Sequence, residues 1–499
     1  MKTYKTAWIY LLPALWAPTA FADYKSDIGY SDLLTLLGGG TPTGANVKVT
    51  QVEASLVGSS DPAYPNYAPD TTNSQFVGKT FSFPGTASTS PSGHANSVGA
   101  LFYGNNAMAH GISQITSYEA NAWINSIVSN TVSAPINGSR IANHSWVGNG
   151  NTAGDTGAIL RLADREVEHN EFIQVVGMAN SNSNSPLLGS AYNVIAVGRT
   201  DGGHDHGADA VDSLYIAGRT RPDVVAPEST TSAATPIVSS AAALLVETGH
   251  TGALSLSNGS ASIAGVGAVY NAERSETIKA ALLAGADRVT NNSLLAANIT
   301  DYRSSGHQSG NGLDDRFGAG QVNILHSYQI IAAGEQDSLE DGGVSTGIDL
   351  QGFDYDPAFG GLVGSNKTAT YNFTASEDLK LSASLAWNLG VSNNGALSTT
   401  LHDLNLELFD VTDQTVTDFS ASTIDNTENL WVSLVTGHSY ELLVKSGESG
   451  NFTWDYSLAW QMVPVNTATV PLPAAFWLFA SALAGFGFTG RRKKIDSKG

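Results

Sequence analysis

One stretch decides the fold: Pro222-Asp-Val-Val-Ala-Pro-Glu-Ser-Thr-Thr-Ser-Ala-Ala-Thr-Pro-Ile-Val-Ser-Ser-Ala-Ala-Ala-Leu-Leu-Val246. It begins with a short apolar run typical of a β-strand, and a hydroxyl-rich turn follows at 229–232. An Ala-rich helical pattern then runs from about 233 to 247, with Pro236 acceptable in the first turn of the helix. Ser232 therefore lies where a loop enters a helix, and the free N–H groups there favour a developing negative charge. The same place suits a helix cap, so the pattern alone leaves both roles open.

The residue sequence of this stretch is more specific than its strand–turn–helix pattern. Thr231-Ser-Ala-Ala-Thr-Pro236 resembles the Thr-Ser-Met-Ala-Thr-Pro motif of the subtilisin-like (subtilase) serine peptidases, in which the Ser opens a long buried helix. Arg221-Pro-Asp-Val-Val-Ala-Pro227 is similar to the strand that leads into that motif. The resemblance implies that Ser232 is the catalytic nucleophile, with an acid, a His and an Asn earlier in the chain.

The acid and the His follow in that order. An alternating β-branched strand predicted at 44–54 carries Glu53 where the family has its catalytic Asp. Glu still offers a carboxylate that can orient and stabilise an imidazole, although a solvated acid at a strand end is the alternative. Gly93-His-Ala-Asn-Ser-Val-Gly99 resembles the family's His-Gly-Thr-His-Val-Ala-Gly helix start, with Ser97 replacing the second His. The resemblance implies that His94 is the base, a role that suits a neutral imidazole.

An oxyanion donor is the third partner that the resemblance implies. A buried strand predicted at 172–180 ends on Asn180, where the family has an Asn whose amide donates to the oxyanion. Asn182 and Asn184 follow in the same turn and are alternatives. Asn is also common in turns for conformational reasons alone.

A further segment suggests where substrate binds. Arg140-Ile-Ala-Asn-His-Ser-Trp-Val-Gly148 looks like the family segment whose backbone pairs with the substrate as an added strand. The resemblance implies three substrate-binding residues: Ser145, Trp146 and Gly148. We interpret His144 as a side chain beside a buried strand, with a second catalytic base as the alternative.

No metal site can be placed from the sequence. His204 and His206 lie in a Gly-rich loop with several Asp residues but no fixed ligand spacing, which favours a solvated loop over a metal site. We predict no cofactor. Calcium sites are common in subtilisin-like enzymes, so a calcium ion is a further possibility that the sequence does not locate.

Strands and helices alternate from about residue 40 to residue 335. Arg316-Phe-Gly-Ala-Gly-Gln-Val-Asn323 resembles the segment that closes the subtilisin-like domain. We therefore predict an α/β fold, a parallel doubly wound subtilisin-like sheet over 23–337, with its site at the carboxyl ends of the strands. A helix predicted at 155–170 carries charges that we interpret as a solvated face: Arg161, Asp164, Arg165 and Glu168.

The hydrophobic pattern of the sequence changes near residue 350, where helical periodicity is replaced by the alternation typical of strands. Turn signals separate six of them, predicted at 369–374, 379–387, 404–410, 430–434, 440–445 and 454–460. This pattern predicts a small all-β sandwich domain over 345–464, similar to the sandwich appended to many secreted bacterial peptidases. We interpret its alternating aromatic residues as core, with a sugar-binding platform as the alternative.

Both ends of the chain carry targeting patterns. Residues 1–22 have the basic start, short apolar run and small-residue cleavage site of a signal peptide, with a membrane anchor as the alternative. Residues 470–494 join Val470-Pro-Leu-Pro-Ala to an apolar span and a basic stop. They resemble the PEP-CTERM sorting signal of exosortase substrates, and a plain anchor is the alternative. The resemblance implies an exosortase-type processing partner, transient membrane anchoring, and export to the periplasm, outer surface or extracellular matrix of a Gram-negative bacterium.

Composition narrows the classes of partner. The 499 residues carry a net charge of −21, which argues against nucleic acid as a partner, and no Cys, which excludes disulfides and thiolate metal sites. We expect a monomer acting on protein or peptide substrates as a secreted or surface-anchored serine endopeptidase. The main alternative is an inactive pseudopeptidase serving as a matrix or adhesion protein, because the acid is Glu and the His motif is altered. An esterase using the same Ser is a second alternative.

Overall fold

The computed structural model describes residues 23–55, 66–85, 90–129, 138–293, 297–360, 366–393 and 396–465. The predicted signal peptide at 1–22 and the predicted sorting signal at 470–494 lie outside these residues. Within the described ranges, every helix is too short or too polar to span a bilayer.

A parallel sheet forms the centre of the N-terminal part and confirms the predicted α/β fold. Its seven strands are β1 (Val49–Glu53), β2 (Thr80–Ser82), β3 (Gln114–Glu119), β4 (Ile141–His144), β5 (Ile173–Gly177), β6 (Ile195–Arg199) and β7 (Val224–Ala226). They lie in the order β2-β3-β1-β4-β5-β6-β7. The strand order changes direction at β1, and in open α/β sheets ligands bind at the carboxyl ends of the strands beside such a point.

Helices cover both faces of the sheet. They are α1 (Tyr24–Asp27), α2 (Tyr30–Leu37), α3 (Gly93–Phe102), α4 (Ala120–Ser129), α5 (Ala153–Asn170), α6 (Thr231–Thr251), α7 (Ala253–Leu256), α8 (Ser275–Ala284) and α9 (Ile324–Ala332). One face packs against α3 and α6, and the other packs against α4 and α5. The Ala-rich α6 is buried along most of its length, since small side chains let it lie close to the sheet. A hairpin, β8 (Ser260–Ile263) and β9 (Gly267–Tyr270), follows α7.

Antiparallel sheets follow and confirm the predicted all-β region. One sheet contains, in spatial order, β10 (Gln351–Phe359), β19 (Trp454–Pro464), β12 (Leu379–Ala386) and β17 (Thr427–Leu434). The second contains β11 (Thr368–Thr374), β18 (Ser439–Ser446), β15 (Leu404–Asp410) and β16 (Thr415–Ser420), and β13 (Gly390–Asn393) pairs with β14 (Leu397–Thr400). The prediction missed β10, β13, β14 and β16. The strand β10 escaped it because Gly, Asp and Pro residues, which are uncommon in strands, make up four of its nine positions.

The antiparallel sheets pack directly on the α/β part. The helix α8 contacts β12 and β19, and α5 contacts β13. Asp164 and Arg165 on α5 are buried, so the predicted solvated face is wrong for both. Asp164 instead accepts hydrogen bonds from the backbone N–H groups of Tyr192 (3.1 Å) and Asn193 (2.7 Å).

Candidate active site

Ser232 is the second residue of α6, at the carboxyl-terminal edge of the sheet. Thr230 caps the helix, and its hydroxyl accepts a hydrogen bond from the Ala233 N–H at 3.2 Å. Ser232 is partly exposed, and among the described residues neither its Oγ nor its N–H has a hydrogen-bond partner. Because the helix begins at Thr231, earlier than predicted, Pro236 lies in its second turn.

This Pro frees the carbonyl oxygen of Ser232. In a regular α-helix the N–H of residue 236 would donate to that carbonyl, but Pro has no N–H. The hydroxyl of Ser145 donates to it instead, at 3.1 Å. The side-chain amide of Asn143 donates to the Ser145 oxygen at 2.9 Å, which leaves the hydroxyl proton directed at Ser232. Ser145 therefore positions the residue predicted as the nucleophile.

Mutations can test whether the Ser145 hydroxyl replaces the helical N–H of residue 236 as the donor to the Ser232 carbonyl. Ser145→Ala is expected to lower the free energy of unfolding by about 1 kcal/mol, because the carbonyl of Ser232 loses its only donor within the described residues. In a Pro236→Ala background the loss is expected to be smaller, since this change restores the helical N–H. Urea unfolding of the four variants in a double-mutant cycle measures the difference. Equal losses in both backgrounds would contradict the exchange.

Glu53 and His94 are joined by a hydrogen bond. Glu53 is the last residue of β1 and is 1% exposed, and His94 is the second residue of α3. The Nδ1 of His94 lies 2.7 Å from Oε2 of Glu53, so the longer Glu side chain reaches the imidazole. His94 is partly exposed, and no hydrogen bond links it to Ser232 in the described part of the chain.

The carboxylate and the imidazole influence each other's protonation. The hydrogen bond to Glu53 raises the pKa of His94, and burial of the ring opposes this effect. Burial raises the pKa of Glu53, while its hydrogen bonds to His94 and Gln51 act in the opposite direction. Since Nδ1 faces the carboxylate, the Nε2 atom is the one available to accept a proton.

Asn180 is attached to the first turn of α6. It lies three residues beyond the end of β5, and its Oδ1 accepts a hydrogen bond from the Thr231 N–H at 2.9 Å. The donor fixes the orientation of the amide, so the Nδ2 group is turned away from Thr231. Asn180 is exposed. Asn180 is thus held at Thr231, the residue before Ser232, whose own N–H has no partner among the described residues.

Trp146 and Gly148, in the segment after β4, both contact other parts of the protein. Gly148 forms a two-bond antiparallel bridge with Leu187, with N···O distances of 3.2 and 3.0 Å. Trp146 is buried and packs edge-to-face against His144, whose ring centroid is 5.8 Å away. Val147, which lies between Trp146 and Gly148 in the sequence, is exposed. The substrate-binding roles of Ser145, Trp146 and Gly148 stay predictions.

The other His residues have structural environments. His144 is fully buried against Trp123, and burial lowers its pKa to about 3, which agrees with the interpretation of a side chain in a buried strand. The loop containing His204 is not simply solvated. The Nδ1 of His204 accepts the Arg199 N–H, and its Nε2 lies 2.9 Å from the carbonyl oxygen of Arg316.

Two groups of side chains among the described residues have the spacing of metal ligands. The first group consists of Asp410, Asp413 and His438, and the second consists of Glu335, Asp337 and Asp354. The ligand atoms of each group lie within 4.8 Å of one another. Both groups lie outside the Ser232 site, and calcium binding stays a prediction.

Sequence reasoning missed the residues that support Glu53. The Nε2 of Gln51 donates to Oε1 of Glu53 at 2.8 Å and to the carbonyl of Ala95 at 3.0 Å. The hydroxyl of Tyr103 donates to the Gln51 side-chain oxygen. Gln51 could have been found from the period of the strand, because residues two apart share a face. Tyr103 lies beyond the end of α3, where no local pattern relates it to β1.

Solved structures that match the chain include proteases and a macrocyclase. The chain is 18% identical to the prenylagaramide maturation protease PagA, covering 60% of this chain and 98% of that one, with a TM-score of 0.39. It is 14% identical to the PatG macrocyclase in complex with peptide, covering 62% and 97%, with a TM-score of 0.38. The pre-peptidase C-terminal domain of a Bacillus anthracis collagenase is 16% identical over 23% of this chain and 93% of that one, with a TM-score of 0.18.

No protein-family model matches the chain, and no curated protein matches its sequence. The likenesses to solved structures have identities under 25% and TM-scores under 0.5. We therefore argue function from the residues of this chain.

Proposed function

We propose that the chain is a serine endopeptidase that hydrolyses peptide bonds with Ser232, His94 and Glu53. The observation that carries this proposal is the 2.7 Å contact between His94 and the buried Glu53, at the sheet edge where the first turn of α6 contains Ser232. A carboxylate that fixes one imidazole nitrogen leaves the other free to act as a base. The N–H and Oγ of Ser232, which have no hydrogen-bond partner in the described part of the chain, support the same assignment.

The proposed reaction follows from these groups. Ser232 Oγ attacks the peptide carbonyl while Nε2 of His94 takes its proton, and Glu53 stabilises the resulting imidazolium. The Nδ2 of Asn180 and the N–H of Ser232 donate to the oxyanion. The C–N bond then breaks, His94 gives its proton to the leaving amine, and an acyl-enzyme remains. Water attacks the acyl-enzyme with His94 again as base, which releases the acid and restores Ser232.

Asn180→Ala is expected to lower kcat by about 10²–10³-fold, because one oxyanion donor is lost. KM is expected to change little, since the interaction forms in the transition state. Steady-state hydrolysis of a peptide substrate measures both constants. Asn182→Ala is the matched control in the same loop. An equal loss in both variants, or none in Asn180→Ala, would remove Asn180 from the mechanism.

We also propose that the protein is exported and processed. The sequence patterns at 1–22 and 470–494 support this proposal. An exosortase-type enzyme is proposed to act on the second of them. Mass spectrometry of the protein from its native envelope and medium tests this proposal. A retained N-terminal Met1 would oppose removal of a signal peptide.

The kind of bond that the protein hydrolyses distinguishes an endopeptidase from an esterase and from an inactive pseudopeptidase. The purified chain is expected to cleave casein and peptide amides, and both activities are expected to be absent from Ser232→Ala. Hydrolysis of p-nitrophenyl esters without any cleavage of amides would favour an esterase. A folded chain that hydrolyses neither substrate would favour a pseudopeptidase.

A further inference from the structure

Gln51 is buried between the strand that carries Glu53 and the helix that carries His94. It lies two residues before Glu53 on β1, so both side chains leave the strand on the same face. Gln51 is 0% exposed. Its Nε2 donates to Oε1 of Glu53 at 2.8 Å and to the carbonyl oxygen of Ala95 at 3.0 Å. Because Ala95 follows His94 on α3, one amide group links the acid to the backbone beside the base.

The two oxygens of the Glu53 carboxylate have different partners. Oε2 lies 2.7 Å from Nδ1 of His94, and Oε1 accepts the hydrogen bond from Gln51. The carboxylate is therefore held at both of its oxygens, and a rotation of the carboxylate would break both contacts. Gln51 thus sets the plane in which the carboxylate meets the imidazole.

Tyr103 determines which way the Gln51 amide faces. The hydroxyl of Tyr103 donates to Oε1 of Gln51, and its ring is fully buried. In the reverse orientation the amide oxygen would face the carboxylate of Glu53 and the carbonyl of Ala95, which are both acceptors. The NH₂ group of Gln51 therefore faces Glu53, and its oxygen faces Tyr103.

Gly99 gives the Tyr103 hydroxyl its place. Tyr103 is the first residue beyond α3, and its side chain reaches back along the helix to Gly99. A Cβ on Gly99 would lie 2.5 Å from the hydroxyl oxygen of Tyr103 and 2.8 Å from its Cζ. The rings of Phe76 and Phe81 also pack on Tyr103, with centroids 5.5 and 5.9 Å from its own. The hydroxyl that orients Gln51 is thus fixed by the packing around it.

The same contacts favour the charged form of the acid. Burial raises the pKa of Glu53, and the hydrogen bonds from His94 and Gln51 lower it. Within the described ranges, His94 is the only ion-pair partner of Glu53. The amide of Gln51 therefore stabilises the carboxylate that the proposed reaction needs when His94 becomes an imidazolium.

We propose that Gln51 is a positioning residue for the peptidase reaction, which holds the Glu53 carboxylate against His94, and that Tyr103 acts through Gln51. This role rests on the proposed function, because it acts on the base of that reaction. Neither Gln51 nor Tyr103 touches the substrate.

Gln51→Met keeps an unbranched side chain of similar length but removes the amide. The kcat for peptide hydrolysis is expected to fall by about 10²-fold, because a small displacement of a catalytic group has an effect of this size. KM is expected to stay within about twofold, since Gln51 acts on the chemical step and not on substrate binding. Steady-state kinetics with a peptide substrate measure both constants.

Gln174→Met is the matched control. Gln174 is likewise buried on a strand of the parallel sheet, β5, and it donates to a backbone carbonyl, that of Ala163, at 2.7 Å. The substitution therefore has the same structural cost without a contact to Glu53. It is expected to leave kcat within about twofold.

Tyr103→Phe removes one oxygen and keeps the ring. It is expected to lower kcat by about fivefold, which corresponds to the loss of one hydrogen bond. In the Gln51→Met background the same change is expected to have no further effect, because Tyr103 acts through the amide. Equal losses in both backgrounds would contradict the order Tyr103–Gln51–Glu53.

A spectroscopic readout needs no substrate. In protein labelled with ¹⁵N-histidine, the proton between Nδ1 of His94 and the Glu53 carboxylate is expected to give a low-field ¹H resonance, because this hydrogen bond is charge-assisted. Its absence from His94→Gln identifies it. The resonance is expected to move upfield in Gln51→Met and to stay in place in Gln174→Met. Tyr103→Phe, which removes a single atom, is expected to give a smaller shift in the same direction.

The outcomes separate this role from the proposed function. Wild-type protein that cleaves peptides, together with unchanged kcat and an unchanged resonance in Gln51→Met, would overturn the role of Gln51 and leave the peptidase in place. Equal losses of kcat in Gln51→Met and Gln174→Met would overturn it as well, since the cost would then be structural. Absence of cleavage by the wild type would instead overturn the proposed function.

Discussion

Ser232→Ala is expected to lower kcat for peptide hydrolysis by at least about 10⁴-fold. The variant removes the only atom that forms the acyl bond in the proposed mechanism. Its free energy of unfolding is expected to change by less than about 0.5 kcal/mol, since the Ser232 hydroxyl has no hydrogen-bond partner among the described residues. Steady-state kinetics and urea unfolding together separate loss of chemistry from loss of fold.

Ser229→Ala is the matched control for this variant. Ser229 is an exposed Ser in the same turn and precedes the helix by two residues. Its loss is expected to leave kcat within about twofold, because Ser229 is exposed and has no role in the proposed mechanism. Comparable losses in both variants would show that the turn, rather than the Ser232 hydroxyl, is what activity needs.

Glu53→Gln is expected to have the second largest effect, a fall in kcat of about 10³–10⁴-fold. The amide keeps the size of the side chain but removes the charge that stabilises the imidazolium of His94. Peptide hydrolysis at the pH optimum of each protein measures the loss. Activity close to that of the wild type would show that Glu53 does not support catalysis by His94.

The pH profile gives Glu53→Gln an independent readout. The proposed base is neutral His94, so kcat/KM rises as the pH increases through the pKa of this residue in the free protein. The carboxylate raises that pKa. Removing the charge is therefore expected to move the acidic limb of the profile to lower pH. Glu119→Gln, at the end of the neighbouring β3, is the matched control and is expected to leave the limb in place.

Much of the fold followed from the sequence because its signals are local. The strands β1, β4 and β5 are buried along their whole length in a parallel sheet that is covered on both faces. The strand pattern predicted that Glu53 and Asn180 lie at strand ends, and their roles were predicted from the resemblance of their segments to subtilisin-like motifs. The alternation in β12 and β15 likewise predicted strands with one face in a core.

What escaped prediction depends on contacts between segments distant in the sequence. The charged face of α5 looked solvated because nothing in 153–170 indicates that β13 packs on it. The hydrogen bond from Ser145 to the Ser232 carbonyl spans 87 residues. It could be inferred only by combining the missing N–H of Pro236 with the sheet order.

The most direct measurement is covalent labelling of the folded wild-type protein with a fluorophosphonate, followed by mass spectrometry of its peptides. Such probes react with a Ser whose hydroxyl is activated by a neighbouring base. We predict one adduct, on Ser232, that is absent from Ser232→Ala and much slower to form in Glu53→Gln. A folded protein that remains unlabelled, or that is labelled elsewhere, would contradict the assignment of Ser232, His94 and Glu53 as a catalytic unit.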